Sequence, residues 1–278
     1  MTDLLRRDMA PITDGAWQEI DRQSLRILKG HLSGRSLVDF SGPHGWDCAA
    51  VNVGRLDVPT DQTLDGVTWG MRKVQPLVEL RVPFRLGIWE LDDIERGARN
   101  PNLDALTAAA RKVAMFEETA IYLGFKGAGI RGLLAGSSHA PVALGPDRAG
   151  LPESVEAAVF ALQEAGIGGP YALVLGTEPY RWLMAGTPNG YPLHKQILAM
   201  VTGGIHWSPA LRGGAVVSRR GGDFTLTVGQ DLAIGYKGHN DREVELYFTE
   251  SFTFRAQEPA AAVALEPREA ARKARPAK

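Results

Sequence analysis

The residues Gly127-Ala128-Gly129-Ile130-Arg131-Gly132 have the spacing of the G-x-G-x-x-G dinucleotide fingerprint. Such glycines hold a pyrophosphate only between a strand and a helix, where the helix N-terminus faces the anion. Here they follow a helical segment, so they read as a glycine-rich helix exit, and no cofactor is expected. The six histidines, His31, His44, His139, His194, His206 and His239, are scattered along the chain. The H-E-x-x-H, C-x-x-C and G-x-S-x-G spacings that would gather ligands or a nucleophile are missing from the sequence. Glu90, Asp92, Asp93 and Glu95 form an acidic run, which reads as a solvated or subunit-contacting face rather than a metal site. Cys48 has no histidine-rich neighbourhood to activate it. No catalytic residue and no metal ligand is assigned, and no enzyme activity is expected.

The elements that would position any chemistry lie in a chain of 278 residues with a net charge of −1, 44% hydrophobic and 23% charged residues. That is an ordinary globular composition. A charge so close to zero argues against a dedicated nucleic-acid binder, which needs a basic excess to neutralise phosphates. The lone cysteine fits a reducing compartment. The N-terminus, Met1 to Asp8, has no apolar run behind Arg6 and Arg7, so it does not read as a signal peptide. No stretch approaches the ~18 apolar residues of a membrane span. A cytoplasmic protein is expected.

Thr13 is a plausible N-cap for a helix running to Leu32, with Gly34 as its stop and Trp17, Ile20, Ser24, Ile27, Leu28 and Leu32 near one face. Ser36 to Phe40 reads as a strand. From Val78 to Ile88, Val78, Leu80, Val82, Phe84, Leu86 and Ile88 alternate with Glu79, Arg81, Pro83, Arg85 and Gly87, which predicts a long strand with one buried face. Pro83 on its other register suggests an edge strand or a paired arm. Helices are predicted over 103–123 and 152–165, a buried strand over 171–175, and short helices opening at Thr177 and Pro192. Strands are predicted over 224–228 and 232–236. Val244, Leu246, Phe248, Phe252 and Phe254 mark one face of a further long strand. After Pro259 the residues are mostly Ala, Glu, Arg, Lys and Pro, which reads as a frayed tail. The fold class is α+β.

Several blocks are more specific than their composition. They are Ala10-Pro11 with Trp17-Gln18-Glu19-Ile20-Asp21, Gly34-Arg35-Ser36-Leu37-Val38-Asp39, Gly42-Pro43-His44-Gly45-Trp46, and Trp89-Glu90-Leu91-Asp92-Asp93-Ile94-Glu95-Arg96-Gly97. Further on stand Gly221-Gly222-Asp223-Phe224, Gly229-Gln230-Asp231-Leu232-Ala233-Ile234-Gly235-Tyr236 and Glu250-Ser251-Phe252-Thr253-Phe254. In this order the chain resembles the encapsulin shell proteins, also labelled linocin-like bacteriocins, over about residues 4 to 265, in their compact, peptide-cargo-loading type.

The resemblance implies a tailed-phage capsid-like (HK97-type) fold with a peripheral domain, an axial domain and an extended loop that pairs with a neighbour. Mapped onto this chain, 1–48 is the N-terminal arm, helix and lumen-facing part of the peripheral domain, and 49–84 the extended loop. Residues 85–170 are the peripheral domain with its spine helix, 171–217 the axial domain, 218–258 the return to the peripheral domain, and 259–278 a flexible tail.

It further implies self-assembly of about sixty copies through repeated heterologous contacts into a minimal icosahedral shell. The lumen would hold a cargo enzyme by its C-terminal targeting peptide, a ferritin-like protein or a dye-decolourising peroxidase, for iron storage or oxidative stress. The cargo-binding positions carried over are Leu28, Leu32, Arg35, Leu37, Asp39 and Ile234. Met184, Thr187, Asn189, Gly190 and Tyr191 would line the five-fold pore. Trp89, read as the off-register member of its strand, is a position where some relatives stack a flavin. The competing expectations are a prophage major capsid protein enclosing DNA, which the basic tail from Arg268 to Lys278 favours, and a protease or bacteriocin. No membrane or specific nucleic-acid partner is expected.

Overall fold

In the computed structural model, residues 4–60, 63–185 and 192–267 are described. Helix α1 (Asp14–His31) starts at Thr13, whose side-chain oxygen accepts the Ala16 amide, and it buries Ala16, Trp17, Ile20, Ser24 and Leu28. It ends where Gly34–Ser36 forms a 3-10 turn, and β1 (Asp39–Ser41) follows. The strand expected over 36–40 is therefore shorter and displaced toward the C-terminus. The Gly34 amide is drawn out of any ladder by the buried Glu118 carboxylate, to which it donates at 2.7 Å.

Residues 50–57 and 63–76 form a ribbon. β2 (Ala50–Asp57) pairs antiparallel with β5 (Met71–Pro76), and β3 (Thr63–Leu64) with β4 (Val67–Thr68) near its tip. Where an extended loop is expected over 49–84, the described residues make a two-stranded arm as far as Pro76, and the residues from Val78 do not belong to it. From Val78 the chain enters β6 (Val78–Gly87), which pairs along its length with the later strand β13. The long alternating segment belongs to the body. It is an edge strand, which is where Pro83 costs no ladder hydrogen bond.

Helix α2 (Ile88–Glu95) begins immediately after β6, so Trp89 is helical and not the last member of a strand. Helix α3 (Asp104–Tyr122) turns one face wholly inward, burying Leu106, Ala109, Ala110, Val113, Ala114 and Ile121 among others. After it, Gly124 has φ +90°, and a Cβ there would lie 2.7 Å from Gly132 N and Ile130 O. Phe125 and Ile130 exchange backbone hydrogen bonds at 2.9 and 3.0 Å. The glycines at 124–132 let two stretches of backbone touch, which no side chain would permit.

The chain continues through β7 (Val142–Leu144), α4 (Leu151–Glu164), β8 (Tyr171–Leu175), α5 (Thr177–Met184), α6 (Leu193–Met200), β9 (Ile205–Trp207) and β10 (Gly214–Ser218). It closes with β11 (Phe224–Val228), β12 (Ala233–His239), β13 (Glu243–Ala256) and β14 (Ala262–Pro267). Two sheets organise these strands. The first contains β1, β11, β13, β12 and β6, with α3 packed on it and Phe84 against Phe248 at 5.4 Å between ring centres. The second has the order β7-β14-β10-β8-β9, with α4 across β14, β7 and β10.

Two expectations change here. Residues 259–267 are not a frayed tail: β14 lies between β10 and β7, and Ala261, Ala262, Val263 and Leu265 are buried. Their small side chains read as low complexity, yet small side chains suit a strand lying directly under a helix. Nor does 171–217 make a layer by itself, because the same sheet takes β7 and β14 from either side of it in sequence.

Candidate functional site

The ribbon is the first feature with no internal use. Leu56, Val58, Leu64, Val67, Trp69, Met71 and Val74 all project into solvent, Leu64 and Met71 at 70% and 64% exposure. Because β2 and β5 pair only with each other among the described residues, each presents an outer edge of unpaired backbone groups. Gly54 at φ +73° lies in the register shift between Asn52 and Leu56, where its amide donates to Asn52 Oδ1. The base is fixed to the body by Leu77 N to Ala49 O at 2.9 Å, Gln75 Nε2 to Ala128 O at 2.9 Å and Arg255 Nη1 to Asn52 O at 3.0 Å. The arm is thus anchored at its base, apolar on its surface and open along both edges.

The second feature is a buried polar centre under the α1 exit. Arg35 donates to both oxygens of Glu117 at 2.7 to 3.0 Å, to Glu250 Oε1 at 2.7 Å and to Asp231 Oδ1 at 2.9 Å. One cation faces three carboxylates, and Glu117 and Glu250 are wholly buried. Burial works against the Arg35 charge, but the hydrogen bonds and charge of Glu117, with Glu250 and Asp231, outweigh it and hold the guanidinium above its ordinary value. Burial pushes the Glu250 carboxyl well up, the charge of Glu117 and a hydrogen bond to it add to the rise, and Arg35 opposes it.

Beside this centre, Glu118 accepts from Gly34 N at 2.7 Å, Ser33 Oγ at 2.5 Å and Ser208 Oγ at 2.6 Å. Burial raises its carboxyl to about 7; the bonds from Ser208, Ser33 and Gly34 hold it back, and the charge of Glu117 adds slightly.

The six positions carried over for cargo binding fall around this centre with unequal access. Leu28, Leu37 and Ile234 are core side chains at 9%, 4% and 3% exposure, so they do not line an open groove. Arg35 is committed to its three carboxylates. Leu32 is half-buried, and Asp39 is exposed but accepts the Gly222 amide at 2.6 Å. The apolar surface that does reach solvent nearby is Leu25, on the Leu32 face of α1 two turns earlier, and Phe40, whose ring lies 5.4 Å from the Arg35 guanidinium carbon. The sequence reading missed Leu25 and Phe40, as well as Glu117, Glu118 and Glu250.

Trp89 is 76% exposed on α2. The acidic run beside it is engaged locally: Glu90 accepts from Asn102 N, Asp93 pairs with Arg96, and Glu95 accepts from Thr13 Oγ1. Of the pore positions, Met184 ends α5 and is exposed. Thr187, Asn189, Gly190 and Tyr191 lie outside the described residues, as does the tail from Arg268 to Lys278. Among the described residues no helix is long and apolar enough to cross a membrane.

Comparison with known proteins gives this arrangement its context. A family model described as "Encapsulating protein for peroxidase" matches residues 1–253. The type 1 encapsulin shell protein of Mycolicibacterium paratuberculosis is 41% identical over 261 residues, covering 94% of this chain and 98% of that one. Among solved structures, a virus-like particle from Pyrococcus furiosus aligns with a TM-score of 0.64 at 19% identity, covering 90% of this chain and 99% of that one. The capsid of Myoviridae phage XM1 aligns at 0.54 with 15% identity, covering 86% and 90%. Those structural likenesses establish a capsid-type fold. With the family match over most of its length and close relatives of nearly equal extent, the chain belongs to the encapsulin shell-protein family.

Proposed function

We propose that this chain is a structural subunit that assembles with about sixty copies of itself into a closed, hollow shell in the cytoplasm, and that the shell takes up a cargo enzyme by a C-terminal peptide. The observation that carries the reading is the ribbon between residues 50 and 76, whose apolar side chains are exposed and whose outer strand edges have no partner among the described residues. A face of that kind is stable in water only when covered. An uncovered arm on an asymmetric subunit suits heterologous contacts that close into a shell. The role is structural rather than catalytic, in keeping with relatives that are named as shell proteins.

For the cargo peptide, Leu25, Leu32 and Phe40 supply an accessible apolar face, with Asp39 beside it for polar contact. Our reading needs no cofactor, and it takes the exposed Trp89 and Met184 as contacts for neighbouring copies. Electron microscopy and size-exclusion of the purified full-length chain test the assembly: uniform hollow particles are expected, and a folded, solitary 30.0 kDa species at high concentration would overturn it. Leu25→Asp with Leu32→Asp should abolish loading of a cargo peptide while particles still form. Undiminished loading would place the peptide elsewhere.

A further inference from the structure

Near the tip of the ribbon, β3 and β4 are joined by two residues, Asp65 and Gly66, at φ +50° and +81°. Two left-handed residues make the tight turn that suits a twisted hairpin. The turn sets Leu64 directly opposite Val67, so both side chains leave the same face of the ribbon. Both are exposed. The Asp65 side chain, at the apex, is exposed too and has no hydrogen bond or ion pair among the described residues. The tip is a small apolar knob that carries one free carboxylate.

The second sheet offers a matching hollow. Where β10 begins and β14 ends, a pocket of about 510 Å³ opens, with Leu123, Leu134, Pro141, Leu211 and Leu265 among its walls. That volume lies within the ~300–1,000 Å³ of sites that take in a ligand of many atoms, so two aliphatic side chains can enter. Ser137 and His139 also line it, but each is spent on backbone. Ser137 Oγ donates to Ala262 O at 2.7 Å, and His139 Nε2 donates to Ala260 O at 2.9 Å. Arg212 and Glu266 are exposed, and neither side chain has a hydrogen bond or ion pair among the described residues. Arg212 is a free cation on the wall of an apolar pocket.

Other hollows oppose the charge of the knob. The cavity between α4 and α6 has Phe160 on its wall, but its charged lining is Glu153 and Glu156. The hollow lined by Asp8, Asp14 and Asp21 holds one arginine, Arg7, which is already paired with Asp21. Like charges set against each other at an interface exclude a partner. Within one chain the knob and the pocket do not meet, since Leu64, Asp65 and Val67 are all exposed. We propose, on the reading of the ribbon as an arm that docks between copies, that its tip seats in the β10–β14 pocket of a second copy. Leu64 and Val67 enter the pocket, and Asp65 accepts from Arg212 of that copy. Glu266, the other free charge there, has Arg55 and Arg72 of the ribbon as cations of opposite sign, and neither of those is paired among the described residues. Each copy gives one knob and receives one, so the contact is heterologous and repeats until the assembly closes.

Charge reversal in the full-length chain tests the pairing. Asp65→Arg and Arg212→Glu should each raise the protein concentration at which particles form by about tenfold, read by light scattering, because each sets like charges together. Combined, the two reversals exchange the signs and should bring that threshold back to near the parent's. Circular dichroism should stay unchanged throughout, as both residues are exposed. Crosslinking reads the contact without any change of charge. In a Cys48→Ser background, Leu64→Cys with Ala135→Cys, whose parent residue lines the pocket, should give a ladder of linked subunits with a short bismaleimide. Neither cysteine alone should do so, and a link through Leu64→Cys alone would overturn the seating by showing that tips meet tips. Unchanged thresholds in both single reversals, or no recovery in the double one, would overturn it as well. If Trp69→Glu with Met71→Glu still abolishes particles in that event, the ribbon docks elsewhere. If particles survive that pair too, the ribbon is not the assembly arm.

Discussion

The ribbon at 50–76 and the centre around Arg35 treat their surroundings in opposite ways. In the centre, polar groups lie where apolar ones would be expected, and each is tied to residues far away in sequence: Arg35 reaches Glu117, Asp231 and Glu250. In the ribbon, apolar groups lie where polar ones would be expected, and Leu64, Val67, Trp69 and Met71 are exposed. The centre is tied together within one chain, although Glu250 Oε2 lacks a donor, so its energetics are those of folding. The ribbon is unfinished, so its energetics are those of association. The division between the two regions separates what holds the fold together from what the fold leaves uncovered.

That contrast breaks most visibly in the ribbon. Trp69→Glu with Met71→Glu should eliminate assembled particles in size-exclusion and light scattering. The released subunit should keep its circular dichroism and unfold within about 0.5 kcal/mol of the parent, as exposed substitutions do. If the same pair unfolds the subunit, the ribbon is part of the core and the distinction fails. The centre should show the converse. Arg35→Ala leaves Glu117 and Glu250 buried without their cation, which should lower subunit stability by about 3–5 kcal/mol. That is a large share of the ~5–15 kcal/mol that holds a domain together, and urea unfolding of the unassembled ribbon variant carrying the change would measure it. A loss below about 1 kcal/mol would mean the centre behaves as a surface ion pair.

The two regions also differed in how far sequence could reveal them. Helices α1, α3 and α4 and strands β6, β8 and β13 announce themselves, because a buried face imposes its period on the residues. No strand is predicted over the ribbon from its pattern because neither of its faces is buried in its own chain, so no period is imposed. β14 reads as a tail because alanines under a helix look like low complexity. Trp89 reads as a strand residue because Ile88 continues the β6 alternation by one position into the first turn of α2.

Signals for the polar centre were nevertheless present. In Val244, Leu246, Phe248, Glu250, Phe252 and Phe254, the glutamate occupies an apolar register. Glu117 and Glu118 likewise fall on the α3 stripe marked by Leu106, Ala110, Val113, Ala114 and Ile121. An acid in phase with a buried face has a buried partner, although sequence alone does not say which. The resemblance supplied Arg35 and Asp39, yet it cast Leu28, Leu37 and Ile234 as a groove, where packing makes them core.

The smallest effect sharpens the comparison at the seam between folding and assembly, where α1 begins. Thr13 accepts the Ala16 amide at 3.3 Å and its hydroxyl donates to Glu95 Oε1, so one side chain caps α1 and ties it to the end of α2. The Glu95 contact is exposed and the bond from the Ala16 amide is part-buried, and neither removal strands a buried charge. Thr13→Ala should therefore cost only the cap, about 1 kcal/mol, measured by urea unfolding in the unassembled background, and Thr13→Ser should restore nearly all of it. Because α1 is a folding element rather than a docking one, particle yield in the parent background should stay unchanged. If Thr13→Ala instead reduced assembly while leaving the unfolding midpoint alone, the α1–α2 corner would belong with the ribbon, as a surface completed by a neighbour.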